Sequence, residues 1–191
     1  MRVGAAVLLG LTLAACGADT GAAQQSPSRV TVTDLRGTPI PSFAGQLVIG
    51  SGIGVFGMVP RAPRDPTTGI MVVEMLTSQT TSQLRRGDAK IDVMSFVYDV
   101  DCTTMRYRLA YQVSYERNGQ PVHRTNLDNA MIEGPMAPYL QSACGLDVPE
   151  GLQSGAEFSS MEAFLATADP ILELRRASLP QQTLTITPPQ R

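Results

Sequence analysis

From Arg106 to Glu116 apolar and polar positions alternate without a break. Tyr107, Leu109, Tyr111, Val113 and Tyr115 fall on one parity; Arg106, Arg108, Ala110, Gln112, Ser114 and Glu116 fall on the other. Successive side chains of a strand point to opposite faces, so this spacing predicts a half-buried strand with three tyrosines on its apolar face. Asn118-Gly119 follows, a pair that accepts the positive φ angles of a tight hairpin turn, and Val122 to Arg124 opens the return strand. Ile91, Val93, Phe96 and Val97 predict a strand running toward Cys102, with imperfect alternation. Shorter runs with strand character come earlier: Val30 to Thr33, Gln46 to Ile49, and Gly69 to Leu76 (GIMVVEML). Between the last two, Pro60, Pro63 and Pro66 predict an extended or turning loop.

The pattern changes after residue 148. Ser159-x-x-Glu162 matches a capping box, whose serine and glutamate side chains satisfy the N–H groups that a starting helix leaves free. It precedes Met161, Phe164 and Leu165. Pro170 is expected to break or restart this helix, because proline lacks an N–H and its ring clashes with the preceding turn. A further turn or two is expected from Ile171 to Arg176, and an edge strand from Thr183 to Thr187, closed by Pro188-Pro189. The expected fold is α+β: a small antiparallel β-sheet packed with one or two short helices and one disulfide. Its divisions are a signal peptide at 1–15, a tether at 16–29, a β-rich domain at 30–148, and a helical segment with a tail at 149–191.

The N-terminus bears on where the domain sits. Met1-Arg2 precedes an apolar run from Val3 to Leu13, far short of the roughly twenty residues needed to span a bilayer. A positive start, a short apolar stretch and small residues at its end describe an export signal. Leu13-Ala14-Ala15-Cys16 resembles the bacterial lipobox. The resemblance implies diacylglyceryl transfer to the Cys16 sulfur, cleavage after Ala15 and acylation of the new amine, and several acyl chains anchor far more firmly than one. Gly17, where aspartate is absent, resembles the Gram-negative default for sorting to the outer membrane. Gly17 to Arg29 (GADTGAAQQSPSR) is small and polar, which predicts a flexible tether.

Composition excludes one partner class. The chain has 15 basic and 17 acidic residues, sparse and interspersed, so no basic face for nucleic acid is expected. With Cys16 lipidated, Cys102 and Cys144 are the remaining thiols. An oxidising compartment favours pairing them, with a redox pair or metal ligands as the competing readings. Neither a C-x-x-C spacing nor a histidine cluster accompanies them.

Four constellations carry residue types that could serve chemistry. Gly52-Ile53-Gly54-Val55-Phe56-Gly57 matches G-x-G-x-x-G, with Glu74 roughly where a ribose-binding acid would stand. Three prolines in the following residues oppose the helix that a pyrophosphate site requires, so a glycine-rich strand or bulge is expected instead. His123 is the single histidine and lies on a hairpin strand, without a nucleophile elbow elsewhere in the chain. Asp99 and Asp101 could meet a hard cation, but calcium needs six or more oxygens, and a solvated strand end is expected. Tyr107, Tyr111 and Tyr115 offer either an aromatic platform or plain core. No catalytic residue, metal ligand or cofactor is expected.

Asp101-Cys102 with Tyr107-Arg108, then Tyr115-x-x-Asn118-Gly119-x-x-Val122, Pro135-x-x-Pro138 and Cys144-Gly145, resembles the surface-adhesin protein E family. The resemblance implies a small antiparallel sheet packed with a helix, a Cys102–Cys144 disulfide and a non-enzymatic role at the cell surface. The expected function is a lipid-anchored envelope protein, held to membrane through Cys16, that binds a macromolecular partner. The alternatives are an envelope enzyme or small-ligand carrier, or an accessory lipoprotein of an envelope assembly complex. A pocket with converging titratable groups favours the enzyme-or-carrier class.

Overall fold

The computed structural model describes residues 30–50, 54–79, 84–86 and 89–178. The expected signal peptide, Cys16, the expected tether and the edge strand expected from Thr183 to Thr187 lie outside the described residues. An eight-stranded antiparallel sheet dominates. Its strands are β1 (Thr31–Asp34), β2 (Gly45–Ile49), β3 (Val55–Ala62), β4 (Ile70–Ser78), β7 (Val93–Asp101), β8 (Arg106–Tyr115), β9 (Pro121–Asn126) and β10 (Gln153–Phe158). A separate two-stranded sheet pairs β5 (Leu84–Arg86) with β6 (Ala89–Ile91), antiparallel. The strand order is β1-β9-β8-β7-β4-β3-β2-β10. Among the described residues two helices complete the fold, α1 (Ala137–Gln141) and α2 (Met161–Ser178). The sheet is thus larger than the small one expected. It also does not end near residue 148, since β10 pairs with β2 and α2 packs on β3, β4 and β10.

The predicted hairpin forms as β8 and β9, turning at Gly119, whose φ of +86° lies where a side chain would be strained. The three tyrosines do not share a face. Val97 stands opposite Tyr111 and Tyr98 opposite Leu109, which leaves Ala110 as an extra residue in β8. One inserted residue in a period-two strand sends everything beyond it to the other side. Tyr111 and Tyr115 therefore pack with the α2 side of the sheet, and Tyr107 packs with the α1 side, edge-on to Tyr98 with ring centroids 5.6 Å apart.

A second bulge lies in β3. Pro60 stands opposite Val73 and Ala62 opposite Val72, so Arg61 is extra. Pro60 thus sits inside a strand rather than in the expected loop, at one of the few strand positions where a missing N–H is tolerated.

Each face of the sheet has its own core. On one, Val48, Met58, Val73, Met75, Val100 and Tyr107 surround Leu140 of α1. On the other, Leu47, Val55, Val59, Leu76 and Val113 pack against Phe164, Leu165, Ala168 and Leu172 of α2. Gly57 lets α2 approach closely, because a Cβ there would stand 2.9 Å from the rings of both Phe158 and Phe164.

Two expectations about α2 change. Ser160, not Ser159, caps the helix, its Oγ accepting from Ala163 N at 3.1 Å. The helix also runs unbroken through Pro170. An interior proline costs about 3 kcal/mol, whereas burying a Phe or Leu stabilises by roughly 1.5–3 kcal/mol each. Phe164 and Leu165 lie before the proline and Leu172 after it, so packing anchors both halves.

Candidate functional site

The α2 helix covers only part of its face of the sheet. Beyond it, over β8 and β9, the segment 35–43 crosses the same face. Leu35 N donates to Val122 O at 2.9 Å, and Gln120 Nε2 donates to Thr38 O at 2.9 Å. Under this segment lies a cavity of about 300 Å³, lined by Pro39, Pro41, Arg61, Glu74, Tyr111 and Arg124 among others. Four strands supply its polar side chains: Arg61 from the β3 bulge, Glu74 from β4, Tyr111 and Tyr115 from β8, and Arg124 from β9. The bulges at Arg61 and Ala110 both adjoin it, and bulges commonly re-aim side chains beside functional sites.

Glu74 is 1% exposed, deep in the sheet. Tyr115 Oη donates to Glu74 Oε1 at 2.8 Å, and the Arg61 guanidinium bonds Oε2. Arg61 Nη1 also reaches the carbonyl of Ser42, and the guanidinium lies 5.0 Å over the Phe43 ring. Arg61 Nη2 sits against the carboxylate as an ion-pair partner without an aligned N–H···O bond. Both carboxylate oxygens are thus engaged by protein groups. Burial, followed by the negative charge of Glu74, pushes the Tyr115 hydroxyl far above the ordinary tyrosine range. Burial also raises Tyr111, with Arg124 opposing it.

Arg124 forms the rim. Its guanidinium stacks 3.9 Å over the Tyr111 ring, and its Nε donates to Asn126 Oδ1 at 2.7 Å. Among the described residues, no side chain or carbonyl accepts from its Nη1 or Nη2. The arrangement therefore combines an occupied, buried charge pair with a cation that keeps donors to spare.

A larger groove of about 680 Å³ lies at the β2–β10 edge, lined by Met58, Pro60, Ala143, Phe158 and Ala163. Its one ionisable side chain is Glu157. Size favours that groove, but converging titratable groups lie in the smaller cavity, and chemistry follows the groups.

The residues singled out in the sequence fall elsewhere, with the exceptions of Glu74 and two of the tyrosines. Cys102 and Cys144 form a disulfide with Cα atoms 5.6 Å apart, on the α1 face. Gly52 and Ile53 lie outside the described residues, while Val55 to Gly57 is strand, so no helix starts there to hold a pyrophosphate. His123 stands on β9 opposite Asp34 and Ser114, and its Nδ1 is buried with no hydrogen-bond partner among the described residues. Asp99 pairs with Arg108 at 2.7 Å. Asp101 accepts from the backbone of Thr103 and Thr104 and from the Thr104 hydroxyl, bonds that lower its pKa.

Sequence reasoning missed Arg61, Tyr115 and Arg124 as neighbours of Glu74. One signal was available. A single carboxylate inside GIMVVEML must be paired if the run is buried, because an unpaired buried charge is too costly to keep. No known protein family, curated protein or solved structure matches the chain.

Proposed function

We propose that this protein is a lipid-anchored, non-catalytic binding module of the bacterial cell envelope, held by acyl chains on Cys16. The observation that carries the reading is the Cys102–Cys144 disulfide. Disulfides persist in exported compartments and are rare in the cytosol. The pairing also leaves Cys16, in Leu13-Ala14-Ala15-Cys16, as the remaining cysteine. Gly17 favours the outer membrane over the inner. The likeness of the Asp101 to Gly145 stretch to surface-adhesin protein E supports a role in binding a macromolecule. The engagement of both Glu74 oxygens argues against that carboxylate serving as a general base.

Fractionation of cells producing the wild type and Cys16→Ser tests the anchor. Wild type is expected with membranes and Cys16→Ser in the soluble fraction; membrane retention of the variant contradicts the proposal. One specific observation favours a second reading, small-ligand carriage: the cavity beneath the 35–43 segment, where Arg61, Glu74, Tyr111 and Arg124 converge.

A further inference from the structure

We propose that the cavity beneath the 35–43 segment is a binding site for a small monocarboxylate with an apolar body, its carboxylate held by Arg124. This deepens the carrier reading and does not depend on the lipid anchor. Three observations lead to it.

The first is charge. The acidic and basic side chains lining the cavity are Arg61, Arg124 and Glu74. Glu74 is matched by Arg61, so the local excess is the positive charge of Arg124. An anion satisfies that charge and a cation does not.

The second is hydrogen-bonding capacity. Arg124 uses Nε on Asn126 and its flat face on Tyr111, which fixes the plane of the guanidinium. The fork of Nη1 and Nη2 is left to donate, and a planar fork matches a carboxylate through two parallel N–H···O bonds. Because the stack on Tyr111 already orders the side chain, less entropy is lost on binding.

The third is the rest of the wall. Leu35, Pro39, Pro41, Val113 and Pro121 are apolar, three of them rigid proline rings, suited to a hydrocarbon chain or an aromatic ring. A volume near 300 Å³ is at the low end for ligand pockets, which run from roughly 300 to 1,000 Å³. The ligand is therefore small.

Arg61 has a different part. Its bonds to Glu74 and to the Ser42 carbonyl tie the covering segment to the sheet, which makes it a positioning residue for the cavity wall.

The test is a titration of the purified full chain with benzoate and, separately, with its neutral isostere benzamide, read from the amide resonances of Tyr111 and Val113. Benzoate is expected to give saturable shifts and to bind at least tenfold more tightly than benzamide. Arg124→Gln should lower benzoate affinity at least tenfold and leave benzamide unchanged. Arg108→Gln, on the neighbouring Asp99 pair, should alter neither. Equal affinity for benzoate and benzamide in the wild type overturns the proposal, as does the absence of saturable shifts at millimolar benzoate. The wild-type comparison of the two probes decides the question even if Arg124→Gln fails to fold.

Discussion

The two faces of the sheet solve the same burial problem with different materials. On the α1 face the core is apolar and a covalent staple closes it: Val48, Val73, Met75 and Val100 pack around Leu140 beside Cys102. On the α2 face an equally dry apolar core gives way, within one strand repeat, to ion pairs. Leu76 packs in the core with Phe164, while Glu74, two residues earlier on the same side of β4, meets Arg61 and Tyr115. Asp169, buried on α2 itself, accepts from Ser78 Oγ at 2.5 Å and from Arg117. Buried ion pairs give little net stability over well-packed apolar residues of similar volume. The first face is therefore built for stability. The second holds a defined arrangement of charges next to a cavity, which is the property a binding site requires.

The largest expected effect comes from unbalancing the charged face. Glu74→Leu leaves the half-buried Arg61 without its carboxylate, and should lower stability by roughly 3–5 kcal/mol in urea denaturation. Arg61→Leu combined with Glu74→Met should restore stability to near the wild type or above it. If the double variant is as unstable as the single one, the pair is a stabilising element and the two faces are more alike than described. On the other face, Cys102→Ser with Cys144→Ser should cost up to about 4 kcal/mol, the chain-entropy value for a loop of this size. A double serine variant as stable as its parent would remove the staple from that description.

Smaller effects follow. Ser160→Ala should cost ~1 kcal/mol by uncapping α2, while Ser159→Ala should be close to neutral; the reverse order would return the cap to Ser159. Each face also buries a tyrosine with a raised pKa: Tyr98 on the α1 side, pushed up to about 12 mainly by burial, and Tyr115 on the α2 side, pushed higher. In the unfolded chain both ionise near pH 10. Above that pH the unfolded state binds fewer protons than the folded state, so stability falls as pH rises. The stabilising contribution is complete below pH ~10. For Tyr98 the decline should level off past about 12, and for Tyr115 it should continue. Thermal melts across this range should show a shallower decline in Tyr98→Phe and in Tyr115→Phe; slopes unchanged from wild type would count against buried, neutral phenols.

Much of the fold was legible in residues whose behaviour is local. Asn118-Gly119 set the hairpin turn, and the β-branched or apolar runs at Val30, Gln46 and Gly69 became β1, β2 and β4. The rest depended on pairing between distant strands. Nothing in the perfect alternation of Arg106 to Glu116 reveals that Ala110 is bulged, because the bulge is defined by what β7 places opposite it. β10, Gln-Ser-Gly-Ala-Glu-Phe, is polar because it is an edge strand with little to bury, so no apolar pattern announced it. Pro170 misled for the converse reason: tertiary packing outweighed a local penalty. The candidate site was half visible, in a lone glutamate within an apolar run. Its partners came from β3, β8 and β9, which sequence spacing does not bring together.

The central claim of the functional reading is lipidation at Cys16, and peptide mass spectrometry of the mature N-terminus in membranes tests it most directly. The proposal predicts a chain that begins at Cys16, with a diacylglyceryl thioether on the sulfur and an acylated amine. A mature chain beginning at another residue, or one carrying Cys16 as an unmodified thiol, would contradict it.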